Sequence, residues 1–251
     1  MENKKKRLKK TAIILCGGKG TRLGKLGKKL PKTLVKIQNK EILWYILKLL
    51  KKNGFNHIIL PTGYKEKLIN KFLYKNKFFD LEIKSIFTGQ NTNIGKRIYK
   101  IQNEISSENV LLLNGDAIFN LNLKKIFSHH IKNKTDLTFL SSEITYPYGT
   151  IGTKNGKIVD FKRNLIYDKI SVRNQNNYLA YNYTGMAIIK KELLNKFKKS
   201  FKNTDNFEQF FFPKVIKGYK TNILKIRGFW HSIDNIKDLT FADLLILLIL
   251  V

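Results

Sequence analysis

Cysteine is almost missing from this 251-residue chain: Cys16 is the one thiol, so no intrachain disulfide and no cysteine-built zinc site can form. A reducing, cytoplasmic setting is the matching expectation. Acidic residues are scarce as well, 18 against 48 basic ones, for a formal net charge of +30. Within that excess arginine is itself rare, confined to Arg7, Arg22, Arg97, Arg163, Arg173 and Arg227. Base readout and phosphate clamping favour the planar guanidinium fork. The lysines are spread along the chain beside abundant Asn and Ile, so the charge reads as compositional bias and no nucleic-acid partner is expected. Long apolar runs are missing too. Thr11 to Cys16 is too short for a secretory core, and Leu244 to Val251, nearly all Leu and Ile, is too short to span a bilayer. No stable membrane insertion is expected. The apolar end is expected to pack on the core or on another subunit, which leaves a homo-oligomer open.

What is present is a globular composition, 43% hydrophobic, over a length suited to one domain. Residues 1–251 are read as a single domain, with residues 1–10 a basic, solvated arm. Short apolar runs at Ala12 to Cys16, His57 to Leu60, Leu81 to Phe87 and Val110 to Leu113 predict buried strands. Between them Gly17 to Gly27 reads as a loop, and Ile42 to Leu50, Lys65 to Leu73 and Lys96 to Ile105 as helices. Such alternation predicts a mainly parallel α/β sheet with helices on both faces. The second half reads as richer in β-structure. A hairpin over Gly149 to Phe161 turns at Asn155-Gly156, Asn164 to Asn177 is a polar loop, and Tyr183 to Ile189 and Asn222 to Ile226 are strands. Helices follow from Lys191, over Phe207 to Ile216 with an interruption near Pro213, and from Ile236 onwards.

In parallel sheets the ligand site lies beyond the carboxyl ends of the strands. Two such ends carry chemistry. The first is Gly17-Gly18-Lys19-Gly20-Thr21-Arg22-Leu23, followed by Pro31-Lys32-Thr33-Leu34-Val35. Glycines let backbone N–H groups approach a polyanion, and Arg22 and Lys32 add cations. The pattern is neither the P-loop nor the dinucleotide fingerprint. The second end is Asn114-Gly115-Asp116. Asp116 and the distant Asp234 supply two carboxylates, enough for one magnesium ion that completes its shell with phosphate and water.

These motifs together resemble the signature of the sugar-1-phosphate nucleotidylyltransferases, and the likeness extends over nearly the whole chain. The resemblance implies a Rossmann-like, mainly parallel sheet with a small β-rich sugar-binding region. It implies transfer of NMP from an NTP to a sugar-1-phosphate, with Mg2+ as cofactor and pyrophosphate as product. The product would be a nucleotide sugar for polysaccharide synthesis. Gly17, Gly18, Gly20 and Thr21 would bind the triphosphate. Arg22, Lys32 and Asp116 would be the catalytic groups, and Asp116 with Asp234 the metal ligands. Ile42-Leu43-Trp44, Gly63-Tyr64-Lys65, Thr88-Gly89-x-x-Thr92-x-x-Gly95-x-Arg97 and Gly228-Phe229-Trp230-x-x-x-Asp234 are similar to the glucose-1-phosphate cytidylyltransferases. This branch is the expected one, with CTP as the favoured nucleotide and the guanylyl branch as runner-up, and it adds Thr88, Gly89, Thr92 and Arg97 to the nucleotide site. Leu112-x-Asn114-Gly115-Asp116 and Phe212-Pro213-Lys214 are closer to heptose- and mannose-1-phosphate guanylyltransferases, which use GTP.

The sugar side departs from the family. Its Glu-Lys pair after a Phe is replaced by Asp160-Phe161-Lys162-Arg163-Asn164. Lys162 or Arg163 is therefore expected to hold the sugar phosphate, with hydroxyl recognition near Thr184 and Gly185. An inactive nucleotide-binding relative and a basic nucleic-acid-binding domain are the rival readings. His129-His130 reads as a solvated pair, Cys16 as a packed strand end, and Trp44 and Trp230 as core residues.

Overall fold

The structure, a computed structural model, describes residues 9–78, 80–146, 148–167, 169–170, 178–197 and 206–249. The first half runs β1 (Thr11–Leu15), α1 (Lys25–Lys29), β2 (Lys36–Ile37), β3 (Lys40–Glu41), α2 (Ile42–Lys52), β4 (His57–Thr62), α3 (Glu66–Asn76), β5 (Glu82–Phe87), α4 (Ile94–Ile101) and β6 (Asn109–Asn114). It continues with β7 (Ala117–Asn120), α5 (Leu123–Lys132), β8 (Leu137–Ser142), β9 (Ile144–Tyr146), β10 (Thr150–Lys154), β11 (Lys157–Lys162), β12 (Leu165–Tyr167), β13 (Lys169–Ile170) and β14 (Tyr178–Leu179). The chain then forms β15 (Asn182–Lys190), α6 (Lys191–Phe197), α7 (Phe207–Gly218), β16 (Thr221–Lys225), β17 (Phe229–Ser232) and α8 (Ile236–Ile249).

Seven strands form the central sheet in the order β16-β8-β15-β6-β1-β4-β5. β15 is antiparallel to both its neighbours, and the other pairings are parallel. The two-residue period of a strand explains why the central runs are apolar throughout. Ala12 and Ile14 of β1, with Leu111 and Leu113 of β6, join one core beneath α2, α3, α5 and α8. Ile13, Val110 and Leu112 join a second core beneath α4, α6 and α7. The expected mainly parallel sheet with helices on both faces is what is found.

Several local expectations need correction. The segment Gly17 to Gly27 is not all loop: it holds a 3-10 turn at Thr21–Leu23 and the start of α1. α4 begins at Ile94 rather than Lys96, because the Asn93 side chain caps it, accepting from the Lys96 N–H at 2.9 Å. α7 is continuous through Pro213. Burial of Phe207, Phe211, Phe212 and Val215 in the second core outweighs the lost backbone donor. The stretch read as a loop over Asn164 to Asn177 contains β12, paired with β9, and β13, paired with β14; residues 171–177 lie outside the described residues. The hairpin of β10 and β11 forms as expected, with positive φ at both Asn155 and Gly156. Ala242 and Ile246 of α8 enter the first core while Leu244 faces outward. Residues 250–251 of that apolar end, and 1–8 of the basic arm, lie outside the described residues. No helix among the described residues is long and apolar enough to cross a membrane.

His130 corrects the expected solvated pair. It is 1% exposed. Nδ1 lies 2.8 Å from the Thr138 hydroxyl and Nε2 lies 3.0 Å from Asn109 Oδ1, so a neutral ring donating from Nε2 satisfies both. Desolvation, with Lys190 nearby, depresses its pKa to about 4. The unfolded chain therefore binds this proton more readily, and folding stability should fall as pH drops from about 6.5 towards 4. The full effect is roughly 3 kcal/mol. Urea unfolding at pH 7 and pH 4.5 should show a steeper loss for the wild type than for His130→Gln. Equal losses would mean that His130 does not carry the dependence.

Candidate active site

The carboxyl ends of β1 and β6 lie side by side, with Leu15 opposite Asn114. Beyond them opens a cavity of about 700 Å³. Its wall includes Gly17, Gly18, Lys19 and Gly20 of the glycine loop, Lys32, and Asn114 to Asp116. Opposite stand Gln90 to Ile94, Arg97, and Asn206 to Glu208.

Lys32 is aimed by its neighbours. Pro31 has φ −60° and starts a 3-10 turn over Lys32–Leu34, and the flanking Thr33, Leu34 and Val35 are buried. With these anchored, the ammonium reaches inward. Lys32 Nζ donates to Asp116 Oδ2 at 2.6 Å and to Asp234 Oδ1 at 2.9 Å. Arg22 Nη2 pairs with the same Asp234 oxygen at 2.9 Å. Burial would raise the Asp234 carboxyl, but the hydrogen bond and charge of Lys32, with Arg22, hold it below its ordinary pKa.

Asp234 is brought to Asp116 by a short antiparallel ribbon. β17 pairs with β7, Ser232 opposite Ala117, and the Ile233 N–H donates to the Asp116 carbonyl at 2.9 Å. The Asp234 N–H donates in turn to Asp238 Oδ2 at 2.7 Å, pinning the loop before α8. Nothing in the local sequence around Asp234 signals this pairing.

Arg97 lies under the glycine loop, 5% exposed. Nη1 donates to the Thr62 carbonyl at 2.8 Å and to Thr88 Oγ1 at 2.6 Å, and Nη2 donates to the Gly17 carbonyl at 3.1 Å. One side chain thus ties together the carboxyl ends of β1, β4 and β5. A Cβ at Gly17 would stand 2.2 Å from Arg97 Cζ, so any larger residue here has to displace the guanidinium. Desolvation lowers the guanidinium pKa.

The other expected site residues divide. Thr92 lines the cavity, and its hydroxyl donates to the Thr88 carbonyl. Thr88 is fully buried, its hydroxyl spent on the Thr62 carbonyl at 2.7 Å, and Gly89 carries φ +105° beside it. Thr21 and Arg22 sit on the exposed 3-10 turn at the loop's edge, where Arg22 reaches the site through Asp234. Lys162 and Arg163 are exposed at the end of the hairpin and are not part of the cavity wall; Lys162 pairs with Asp160 at 3.0 Å. Thr184 is buried and donates to the Leu140 carbonyl at 2.8 Å. Gly185, φ +72°, lets β15 pass the Asn114 amide, which a Cβ would approach to 2.5 Å. Neither is part of the cavity wall; Gly185 packs against Asn114, which is.

Residues without an expected role also line the cavity: Gln90, Asn91, Asn93, Asn114, Asn206, Phe207 and Glu208. Asn114 lies within the Asn-Gly-Asp motif and was legible there. Desolvation raises the Glu208 carboxyl. The Cys16 thiol is buried, and burial together with the Asp116 charge raises its pKa, which removes it as a nucleophile.

A glycine loop, two cations and two carboxylates at the strand ends define a site for phosphate chemistry. Residues 11–246 match the nucleotidyl transferase family, and the chain belongs to it as an enzyme of that type. Its relatives include the D-glycero-alpha-D-manno-heptose 1-phosphate guanylyltransferase of Aneurinibacillus thermoaerophilus, 33% identical over 210 residues, 83% of this chain and 88% of that one. The protein of Bacillus subtilis named probable glucose-1-phosphate cytidylyltransferase is 28% identical over 248 residues, 91% and 92% of the two chains. Among solved structures, HddC from Yersinia pseudotuberculosis shares the fold with a TM-score of 0.69 at 21% identity, over 93% of this chain and 98% of that one.

Proposed function

We propose that this enzyme joins the NMP part of a nucleoside triphosphate to a sugar-1-phosphate. A phosphate oxygen of the sugar-1-phosphate attacks the α-phosphorus. The bond from that phosphorus to the bridging oxygen breaks, and pyrophosphate leaves. No protein nucleophile takes part. The observation that carries this reading is the convergence of Lys32, Arg22, Asp116 and Asp234 beside the glycine loop. Catalysis in such a site is positioning and charge neutralisation.

Magnesium fits the donor set. Among the described residues there is no cluster of three or more His, Cys, Asp or Glu groups that could cage an ion. Magnesium needs no such cage: one or two carboxylates suffice when phosphate oxygens and water complete the shell. Asp116 and Asp234 would hold it, and it would neutralise charge on the triphosphate. For Lys162 or Arg163 to hold the sugar phosphate, the hairpin has to fold toward the cavity.

For the base, the reading we favour is GTP, with a heptose-1-phosphate as acceptor. The heptose 1-phosphate guanylyltransferase of Aneurinibacillus thermoaerophilus, at 33% identity, supports it against 28% for the cytidylyltransferase. CTP is the second reading, supported by the Gly63-Tyr64-Lys65 and Thr88 to Arg97 segments. A matrix of four NTPs against several sugar-1-phosphates, with pyrophosphate as readout, separates them. We expect GTP to give the highest kcat/KM; a higher value with CTP sinks the guanylyl assignment. No pyrophosphate from any pair sinks the enzyme reading itself.

A further inference from the structure

The Lys32 ammonium stands between Asp116 and Asp234, in contact with both carboxylates, at 2.6 and 2.9 Å. Its side chain is 12% exposed, so the contact is partly screened from water. This is also the place assigned above to a divalent cation. Two cations cannot share it. A divalent metal held by these carboxylates would need their oxygens closer than the 2.6 and 2.9 Å at which the ammonium now stands between them. The metal would also repel the lysine charge at close range.

From this geometry we infer that Lys32 is an internal counter-ion that competes with the divalent metal for Asp116 and Asp234. The inference rests on the two-aspartate metal reading. Without nucleotide the ammonium holds the carboxylates and weakens metal binding. When a triphosphate enters, its oxygens offer Lys32 a new anionic partner. The lysine moves to the phosphate, and the carboxylates are released to the metal. Arg22 contacts the same Asp234 oxygen from the exposed side, 73% exposed, and adds to the competition less because water screens it. Metal and nucleotide affinity are then coupled through one side chain, and each strengthens the other. Lys32 has two positions in the reaction, and the first keeps the carboxylates paired while the site waits.

The consequence has an unusual sign. Removing a residue needed for turnover should improve metal binding. The test is titration of the nucleotide-free protein with Mn2+, followed by electron paramagnetic resonance of the free ion. The proteins are wild type, Lys32→Met, Lys32→Arg, and Lys32→Met combined with Asp116→Asn. Met keeps the unbranched stem and removes the charge; Arg keeps the charge. Mn2+ should bind Lys32→Met roughly tenfold or more tightly than wild type, within the usual range of coupling between ligands. Lys32→Arg should stay near wild type. Added non-hydrolysable triphosphate should shrink the gap between Lys32→Met and wild type. Equal or weaker Mn2+ binding by Lys32→Met, with a thermal transition like that of wild type, overturns the competition. If Lys32→Met unfolds, Lys32→Arg decides: Mn2+ binding that is much tighter than wild type with the charge retained also overturns it. Asp116→Asn should remove the tight binding seen in Lys32→Met. If it does not, the metal sits elsewhere and the two-aspartate reading fails instead. Absence of Mn2+ binding by all four proteins, with and without triphosphate, overturns both.

Discussion

Asp116→Asn is expected to lower kcat by about a thousandfold, the scale on which a metal's charge stabilises a transferring phosphoryl group. Asp234→Asn should do nearly as much. The fold should survive either change. Lys32 contacts both carboxylates, so removing one charge leaves the other in place. The β7–β17 pairing depends on main-chain groups, including the Asp116 carbonyl, rather than on either side chain. Circular dichroism checks the fold, and steady-state pyrophosphate release across a magnesium titration checks the chemistry. Wild-type rates in either variant would remove the two-aspartate site from the mechanism.

A second large effect is expected at Arg97, through position rather than contact with the reacting atoms. Arg97→Met removes the charged donor from the Thr62 and Gly17 carbonyls and from Thr88 Oγ1, and a hydrogen bond to a charged group contributes about 1.5–3 kcal/mol; the carbonyls keep their Thr88 and Tyr64 partners. Stability should fall by roughly 3 kcal/mol, and kcat/KM by at least about a hundredfold as the glycine loop loses its anchor. Arg97→Lys should recover only part of this, because an ammonium lacks the fork that spans the ends of two strands. Gly17→Ala should reproduce the activity loss from the other side, since the new Cβ would occupy the guanidinium's space. Chemical denaturation and KM for the triphosphate measure both quantities. A stable Arg97→Met with unchanged KM would make the arginine ordinary packing.

Much of this site was legible because its main parts end apolar runs. β1, β4 and β6 each carry a short apolar run, Ala12 to Leu15, Ile58 to Leu60 and Val110 to Leu113, buried along almost all of its length, and the residues after them fall at the carboxyl edge by geometry alone. The glycine loop and Asp116 follow directly. The pairing of β7 with β17 was not legible. β7 is four residues, Ala-Ile-Phe-Asn, and its partner comes more than a hundred residues later, so no local period announces it. The same holds for Asn206 to Glu208, which reach the cavity only because the Phe cluster of α7 docks on the second core. Thr184 shows a different limit. Its position in β15 could be read, but the bulge between Tyr183 and Ala187 decides which way the hydroxyl turns. His130 looked polar by composition and is buried by a hydroxyl and amide network from β6 and β8.

The β7–β17 ribbon also sets an order on biosynthesis. A ribosome releases the glycine loop, Lys32 and Asp116 well before Asp234. A nascent chain that stops before β17 lacks the Asp234 carboxylate, which leaves Asp116 as the one expected metal ligand of the proposed pair. Such a chain already has β1, β4, β5 and β6 in sequence, enough to begin the parallel half of the sheet. The second carboxylate has to await the residues after β17. If both aspartates hold the metal, active enzyme reports that synthesis has passed β17, and copies cut short before it lack one of the two carboxylates.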